Sequence, residues 1–156
     1  MAAVVFGLSR ISGAAVFNSQ DTGNVIVPPT PVLPTKVYPK TDVSVGQWTS
    51  TAATLSGAIN ETVANDASYI STAAASTCEM TLDEAVYPGG ANQVISYRAY
   101  SANSSMLTVT LKQAAVTIAQ WTHQLTPTPT LYRQTLTTAQ RALIVAGAIN
   151  VTLATT

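Results

Sequence analysis

Short segments in which apolar and polar residues alternate occupy most of the chain from Asp42 onward. In the clearest one, Ile95, Tyr97 and Ala99 alternate with the polar residues Ser96 and Arg98. Successive side chains of a β-strand point to opposite faces of the sheet, so this period of two is typical of strands with one buried face. The sequence therefore predicts a mainly β domain.

Three further segments show the same pattern and give the predicted core. Their inward residues are expected to be Cys78, Met80 and Leu82, then Leu107, Val109 and Leu111, and finally Ile149, Val151 and Leu153. Segment 116–121 is predicted to continue the pattern, with Val116, Ile118 and Gln120 on one face and Ala119 and Trp121 on the other.

The links between these segments contain turn-forming residues. The 102–105 link (ANSS) is predicted to form a hairpin, and Gln113–Ala114 a tight turn. Thr137 and Gln140 form a capping-box pattern, which predicts a short helix extending through Ile144. Six to eight short strands and one helix indicate an antiparallel, jelly-roll-like β-sandwich.

The first forty residues have a different character. Segment 1–17 is apolar and rich in small residues, and prolines stand at positions 28, 29, 31, 34 and 39. Proline lacks an amide donor and fixes φ, so the proline-rich part is unsuited to a helix or a central strand. The sequence therefore predicts an extended anchoring arm over residues 1–40 and a sandwich domain over residues 41–156.

The apolar side chains of this arm are the predicted partner-binding residues. Exposed together, they would form a costly apolar patch, and strand addition to a neighbouring subunit would cover it. The alternative is that the arm folds back on its own sandwich. The residues concerned are Val4, Val5, Phe6, Leu8, Ile11, Val16, Phe17, Val25, Ile26 and Val27.

Charge excludes some partners. The chain has seven acidic and seven basic residues, its net charge is zero, and its charges form no runs. A nucleic-acid partner would require a basic stripe, and a membrane span about 18 uninterrupted apolar residues, so we expect neither. Such sparse charge is more natural in a subunit of an assembly than in a free monomer.

The sequence predicts no catalytic residue, no metal site and no cofactor. His123 and Cys78 are each the only residue of their type, and the carboxylates follow no calcium-loop spacing. A triad through His123 is formally possible, but any serine-rich chain would permit one. Tyr100 and Trp121 are candidate contacts for a glycan, whereas Tyr97 and Tyr100 are predicted to lie on opposite faces of one strand.

Several segments together resemble a known class of proteins. They are 42–48, 59–61, 65–70, 94–98, 107–111, Trp121, 136–140 and 149–153. This sequence resembles the accessory virion proteins of tailed bacteriophages, whose jelly-roll-like domains recur in head-decoration, head-fibre and tail-associated proteins. The likeness covers about residues 42–156, and the N-terminal arm is not part of it.

The resemblance implies a non-enzymatic structural subunit of a phage virion, assembled in the cytoplasm of the bacterial host. It implies a head-decoration or head-fibre protein that attaches through its arm to the major capsid protein or another virion subunit, as a homo-oligomer. It supplies no catalytic residues. Two alternatives stay open: a tail- or collar-associated subunit, and a carbohydrate-binding module for host-surface glycans.

Overall fold

A computed structural model describes residues 2–10, 37–60, 67–82, 93–145 and 147–156, and for residues 2–10 it describes the backbone alone. These residues form ten strands and two five-residue helices. In chain order they are β1 (Ala2–Arg10), β2 (Pro39–Ser44), β3 (Thr49–Ser50), α1 (Leu55–Ile59), β4 (Ile70–Thr72), β5 (Ser76–Leu82), β6 (Gln93–Ser101), β7 (Met106–Gln113), β8 (Val116–Gln124), β9 (Thr130–Thr135), α2 (Thr138–Ala142) and β10 (Asn150–Thr155).

The strands form two antiparallel five-stranded sheets that pack face to face. The first sheet has the order β3-β4-β1-β6-β9, and the second has the order β2-β5-β10-β7-β8. The predicted mainly β, antiparallel sandwich is confirmed.

The strand order follows the wrapping of a jelly roll. The strands from β4 to β10 can be counted as the first to the seventh strands of a jelly roll, and β1 as the eighth. The first sheet then contains strands 1, 8, 3 and 6, and the second contains strands 2, 7, 4 and 5, as in a jelly roll. The last strand of a jelly roll lies between its first and third strands, and β1 lies between β4 and β6. The N-terminal strand therefore occupies the place of the closing strand.

The core lies between the sheets and is built from the predicted inward residues. The side chains of Cys78, Met80 and Leu82, of Leu107, Val109 and Leu111, and of Ile149, Val151 and Leu153 are all buried. Burying one such aliphatic side chain stabilises a fold by about 1.5–3 kcal/mol. The alternation predicted for these strands is confirmed.

The pattern predicted for β8 is only partly correct. Ile118 and its neighbour Ala119 are both buried, whereas Val116 and Gln120 are exposed and Trp121 is half-buried. The pairing of β7 with β8 shifts its register after Leu111, which marks an irregularity in the ladder. Such a shift changes which residues of the strand face the core, and period-two reasoning does not detect it.

The predicted hairpin at residues 102–105 is wrong. β6 belongs to the first sheet and β7 to the second, so this link carries the chain from one sheet to the other. A tight turn does join β7 to β8, and Ala114 within it has a φ of 50°.

One helix matches its prediction and the other was not predicted. The side chain of Thr137 accepts a hydrogen bond from the amide of Gln140, and the Gln140 side chain accepts one from the amide of Thr137, as a capping box requires. The helix α2 nevertheless ends at Ala142 rather than Ile144. Helix α1 is capped by Thr54, whose hydroxyl accepts from the amide of Gly57.

The first residues of the chain lie inside the first sheet. β1 pairs with β4 on one side and with β6 on the other. In this structure residues 2–10 therefore follow the alternative in which the N-terminal segment folds back on its own sandwich. The predicted boundary at residue 40 assigns β1, which is a strand of the sandwich, to the arm.

Candidate interaction sites

β1 occupies a site that is bounded on both sides by strands of the first sheet. All nine residues of β1 have a partner on β6, from Ala2 opposite Ser101 to Arg10 opposite Gln93. On the other side, Ala2–Val4 pair with Thr72–Ile70. A strand held on both sides by antiparallel ladders gains backbone hydrogen bonds from both neighbours.

The register also places the apolar residues of β1 opposite buried residues. Val4, Phe6 and Leu8 stand opposite Ala99, Tyr97 and Ile95, which are almost completely buried. Val4, Val5, Phe6 and Leu8 are four of the predicted partner-binding residues, and in this structure their partners are strands of the same chain. The other six predicted residues, Ile11, Val16, Phe17, Val25, Ile26 and Val27, lie outside the described residues.

An aromatic cluster joins the edges of the two sheets. Tyr97 of β6 lies 2.6 Å by its hydroxyl from Nε2 of His123 on β8, and its ring stacks on that of Tyr132 at 5.5 Å. The rings of His123 and Tyr132 are 4.2 Å apart, and the amide of Gln134 lies 3.5 Å from the same imidazole nitrogen. Three side chains from β6 and β9 thus meet around His123 of β8, the only histidine of the chain.

Burial sets the protonation of this cluster. It lowers the pKa of His123, because the charged imidazolium is penalised away from water. It also raises the pKa of Tyr97, so the phenol keeps its proton. With the imidazole neutral and the phenol protonated, the Tyr97 hydroxyl and Nε2 of His123 share one hydrogen bond, and the imidazole tautomer decides which of the two donates.

The described contacts of the His123 ring come from two tyrosines and one glutamine. The described partners of its ring are Tyr97, Tyr132 and Gln134, and none of them is a serine or a carboxylate. The triad considered from the sequence therefore has neither its nucleophile nor its acid at this histidine among the described residues. Sequence reasoning missed the cluster, because the register shift between β7 and β8 determines that His123 faces the other sheet.

Three polar side chains contact one another across the outer face of the second sheet. Glu79 of β5 forms a 2.6 Å ion pair with Lys112 of β7, and it accepts a 2.5 Å hydrogen bond from Asn150 of β10. The Lys112 ammonium, with help from Asn150, lowers the pKa of Glu79 against the opposing effect of burial. The contact ties three adjacent strands together. Among the other carboxylates of the chain, whose spacing is unlike that of a calcium loop, Glu61, Asp66, Asp83 and Glu84 lie outside the described residues.

The two aromatic residues considered for glycan binding do not share a surface. Tyr100 lies on β6 of the first sheet, on the face opposite Tyr97 and Ala99. Trp121 lies on β8 of the second sheet and packs against the core. The separation predicted for Tyr97 and Tyr100 is confirmed, whereas Tyr100 and Trp121 form no common platform.

A small polar pocket lies at the end of the sandwich where β6 passes over to β7. It has a volume of about 80 Å³ and is lined by Thr72–Ala75, Asn103, Ser105, Thr155 and Thr156. A volume of this size holds only a few water molecules. The pocket offers hydroxyl and amide groups but no aromatic face.

Within the described ranges, no three or more His, Cys, Asp or Glu side chains gather as a metal ion would require. Neither described helix has the length or apolar character needed to span a membrane. Comparison with protein-family models, with curated proteins and with solved structures gave no match to this chain.

Proposed function

We propose that this protein is a structural accessory subunit of a bacteriophage virion, of the head-decoration or head-fibre type. The main support for the proposal is the position in the sequence of the strand that closes the jelly roll. This strand is residues 2–10, and segment 11–36 separates it from the rest of the sandwich. Extended terminal segments that complete a sheet by strand pairing are a recurring means of joining protein subunits.

The surface chemistry supports a role in an assembly. Charged residues make up only 9% of the chain. On the outer face of the second sheet, Glu79 is paired with Lys112, and hydroxyls and amides bond to one another, as Thr108 does to Thr122 and Gln120 to Thr110. A protein that remains free in solution commonly relies on more exposed charge than this.

The proposed role is non-enzymatic. The described environment of His123 holds the ring between two tyrosines and an amide, which is suited to joining two sheets. The proposed partners are the major capsid protein or another virion subunit together with further copies of this chain. The proposed location is the virion, assembled in the host cytoplasm.

Quantitative mass spectrometry of purified particles tests this proposal. We expect hundreds of copies relative to the major shell subunit, which is the stoichiometry of a protein on the head lattice. A few dozen copies or fewer would instead favour a vertex, collar or tail subunit. Absence from the particles would overturn the virion proposal altogether.

The glycan-binding alternative has less support, because Tyr100 and Trp121 lie on different sheets and face different surroundings. A glycan array with the full chain tests it directly. Specific binding that is lost in Tyr100→Ala, but retained in a control such as Tyr38→Ala, would restore this alternative.

A further inference from the structure

We propose that β1 is exchanged between copies of this chain, so that residues 2–10 of one copy close the jelly roll of another. The inference names a second copy as the partner of the strand. It concerns the purified subunit, so it stands or fails separately from the virion proposal.

The first argument is the topology of the sandwich. The strands from β2 to β10 all come from residues 39–155, and β1 alone comes from the other side of segment 11–36. Without β1, the first sheet would divide into β3-β4 and β6-β9, with two unpaired strand edges facing one another. The first sheet therefore has a gap of one strand between β4 and β6. The strand that fills this gap, β1, is connected to the rest of the sandwich only through segment 11–36.

The second argument is that exchange preserves the contacts of the strand. The nine-residue ladder with β6 and the ladder with β4 depend on the sequences of the strands, and these are identical in every copy. A strand from a second copy would form the same hydrogen bonds in the same register. Exchange of identical elements is accordingly a low-cost route to an oligomer.

The third argument is reach. Connections between elements of a compact domain commonly contain about 4–6 residues, whereas segment 11–36 contains about 26. At roughly 3.3 Å per residue, such a segment extends at most about 85 Å. A compact domain of this length has a radius of gyration of about 15 Å, so an extended segment is long enough for β1 to reach a neighbouring copy.

Disulfide trapping tests the exchange. Gly7 and Ser96 are directly opposite in the register, and opposed residues of antiparallel strands have Cα separations that a disulfide can bridge. Two full-length variants that each add one cysteine, Gly7→Cys and Ser96→Cys, are mixed in denaturant, refolded together and oxidised. Neither variant can form this bond within one chain. Cys78 is buried and its pKa is raised to about 12, so it stays unreactive.

We expect a disulfide-linked dimer from the mixture, in up to about half of the dimers when the variants are equal in amount. The control mixture of Gly7→Cys with Thr108→Cys, which lies on the other sheet, should yield none. A double variant, Gly7→Cys with Ser96→Cys, reports on the closed form, in which the bond forms within one chain.

Closure of the double variant within single chains, together with no linkage in the mixture, would overturn the proposal. Failure of both to link would also overturn it, because β1 would then lie beside β6 in neither form. Light scattering on the unmodified chain provides a second measurement. We expect a mass of at least two chains at high protein concentration, and a monomer mass at every concentration would contradict the exchange.

Discussion

Individual backbone positions in this sandwich have narrow steric limits, and Gly46 is the clearest case. It follows β2 in a tight turn with a φ of +55°, which favours glycine. A Cβ at this position would collide with the carbonyl oxygen of Thr77 and the hydroxyl of Ser76. The neighbouring amide of Gln47 donates to that same hydroxyl at 2.8 Å, which holds the turn against β5.

We expect Gly46→Ala to lower the free energy of unfolding by about 2 kcal/mol or more, because it combines an unfavourable φ with a backbone collision. Urea denaturation measures the change. Gly147→Ala is the matched control: its φ of +129° also disfavours alanine, but its Cβ would meet only the end of the Gln113 side chain. A loss of less than about 0.5 kcal/mol in Gly46→Ala would contradict this expectation.

The His123 cluster predicts a pH dependence of stability. The folded-state pKa of His123 lies below that of the unfolded chain, so the unfolded state binds more protons as the pH falls. Its contribution to stability is therefore complete above the unfolded pKa of about 6.5 and is lost progressively below that value. Between about pH 7.5 and pH 5, the free energy of unfolding should fall more for the unaltered protein than for His123→Gln. Equal slopes would contradict this assignment.

Among the elements, helix α1 depends on a side chain from another strand. Asp42 of β2 accepts hydrogen bonds from the amides of Leu55 and Ser56 at 2.8 and 2.7 Å. Burial alone would raise the pKa of Asp42, but these amides outweigh it and the pKa is lowered. The amides of Leu55 and Ser56, in the first turn of α1, thus obtain their acceptors from the edge of the second sheet.

We expect Asp42→Ala to lower the free energy of unfolding by about 1–2 kcal/mol, because it leaves two amides of the first turn without acceptors. Ser44→Ala, at an exposed position on the same strand, is the control and should change stability little. Thermal denaturation of both variants measures the difference. A loss of equal size in Ser44→Ala would assign the effect to the strand and not to the cap.

The elements that the sequence predicts well are those governed by local patterns. Leu107–Leu111 and Ile149–Leu153 alternate without interruption, and the capping box at Thr137 needs only residues within one turn. Helix α1 was missed because segment 52–59, rich in alanine, threonine and serine, has no helical period, and one of its caps is Asp42, thirteen residues before Leu55. The hairpin predicted at 102–105 failed because a turn within a sheet and a crossing between sheets use the same residue types.

At the scale of the whole molecule, the place of the N-terminal segment could not be predicted. β1 pairs with β6 at sequence separations of more than eighty residues, as between Arg10 and Gln93. Its alternating apolar residues suit a strand, but an alternation does not specify which strand it pairs with. The same limit applies to the candidate site, since the Tyr97–His123 contact depends on how the two sheets meet.

This placement changes the expected result of shortening the chain. The sequence alone predicts that a chain starting at Thr41 folds normally. With β1 inside the first sheet, removal of residues 2–10 should expose the edges of β4 and β6 and lead to lower stability and self-association. Light scattering and urea denaturation measure both effects. A variant with residues 2–10 in scrambled order keeps length and composition, and normal behaviour of either variant would show that β1 is dispensable.

The position of β1 also has a consequence in time. During synthesis its residues leave the ribosome well before β4 and β6 exist, so the strand waits until Ser101 has been made before its full ladder can form. Pairings of such high sequence separation are slow to form. During that interval a nascent chain presents an unpaired apolar strand, and chains made close together on one message can meet while it is still unpaired. The proposed exchange would then depend on how densely the message is translated.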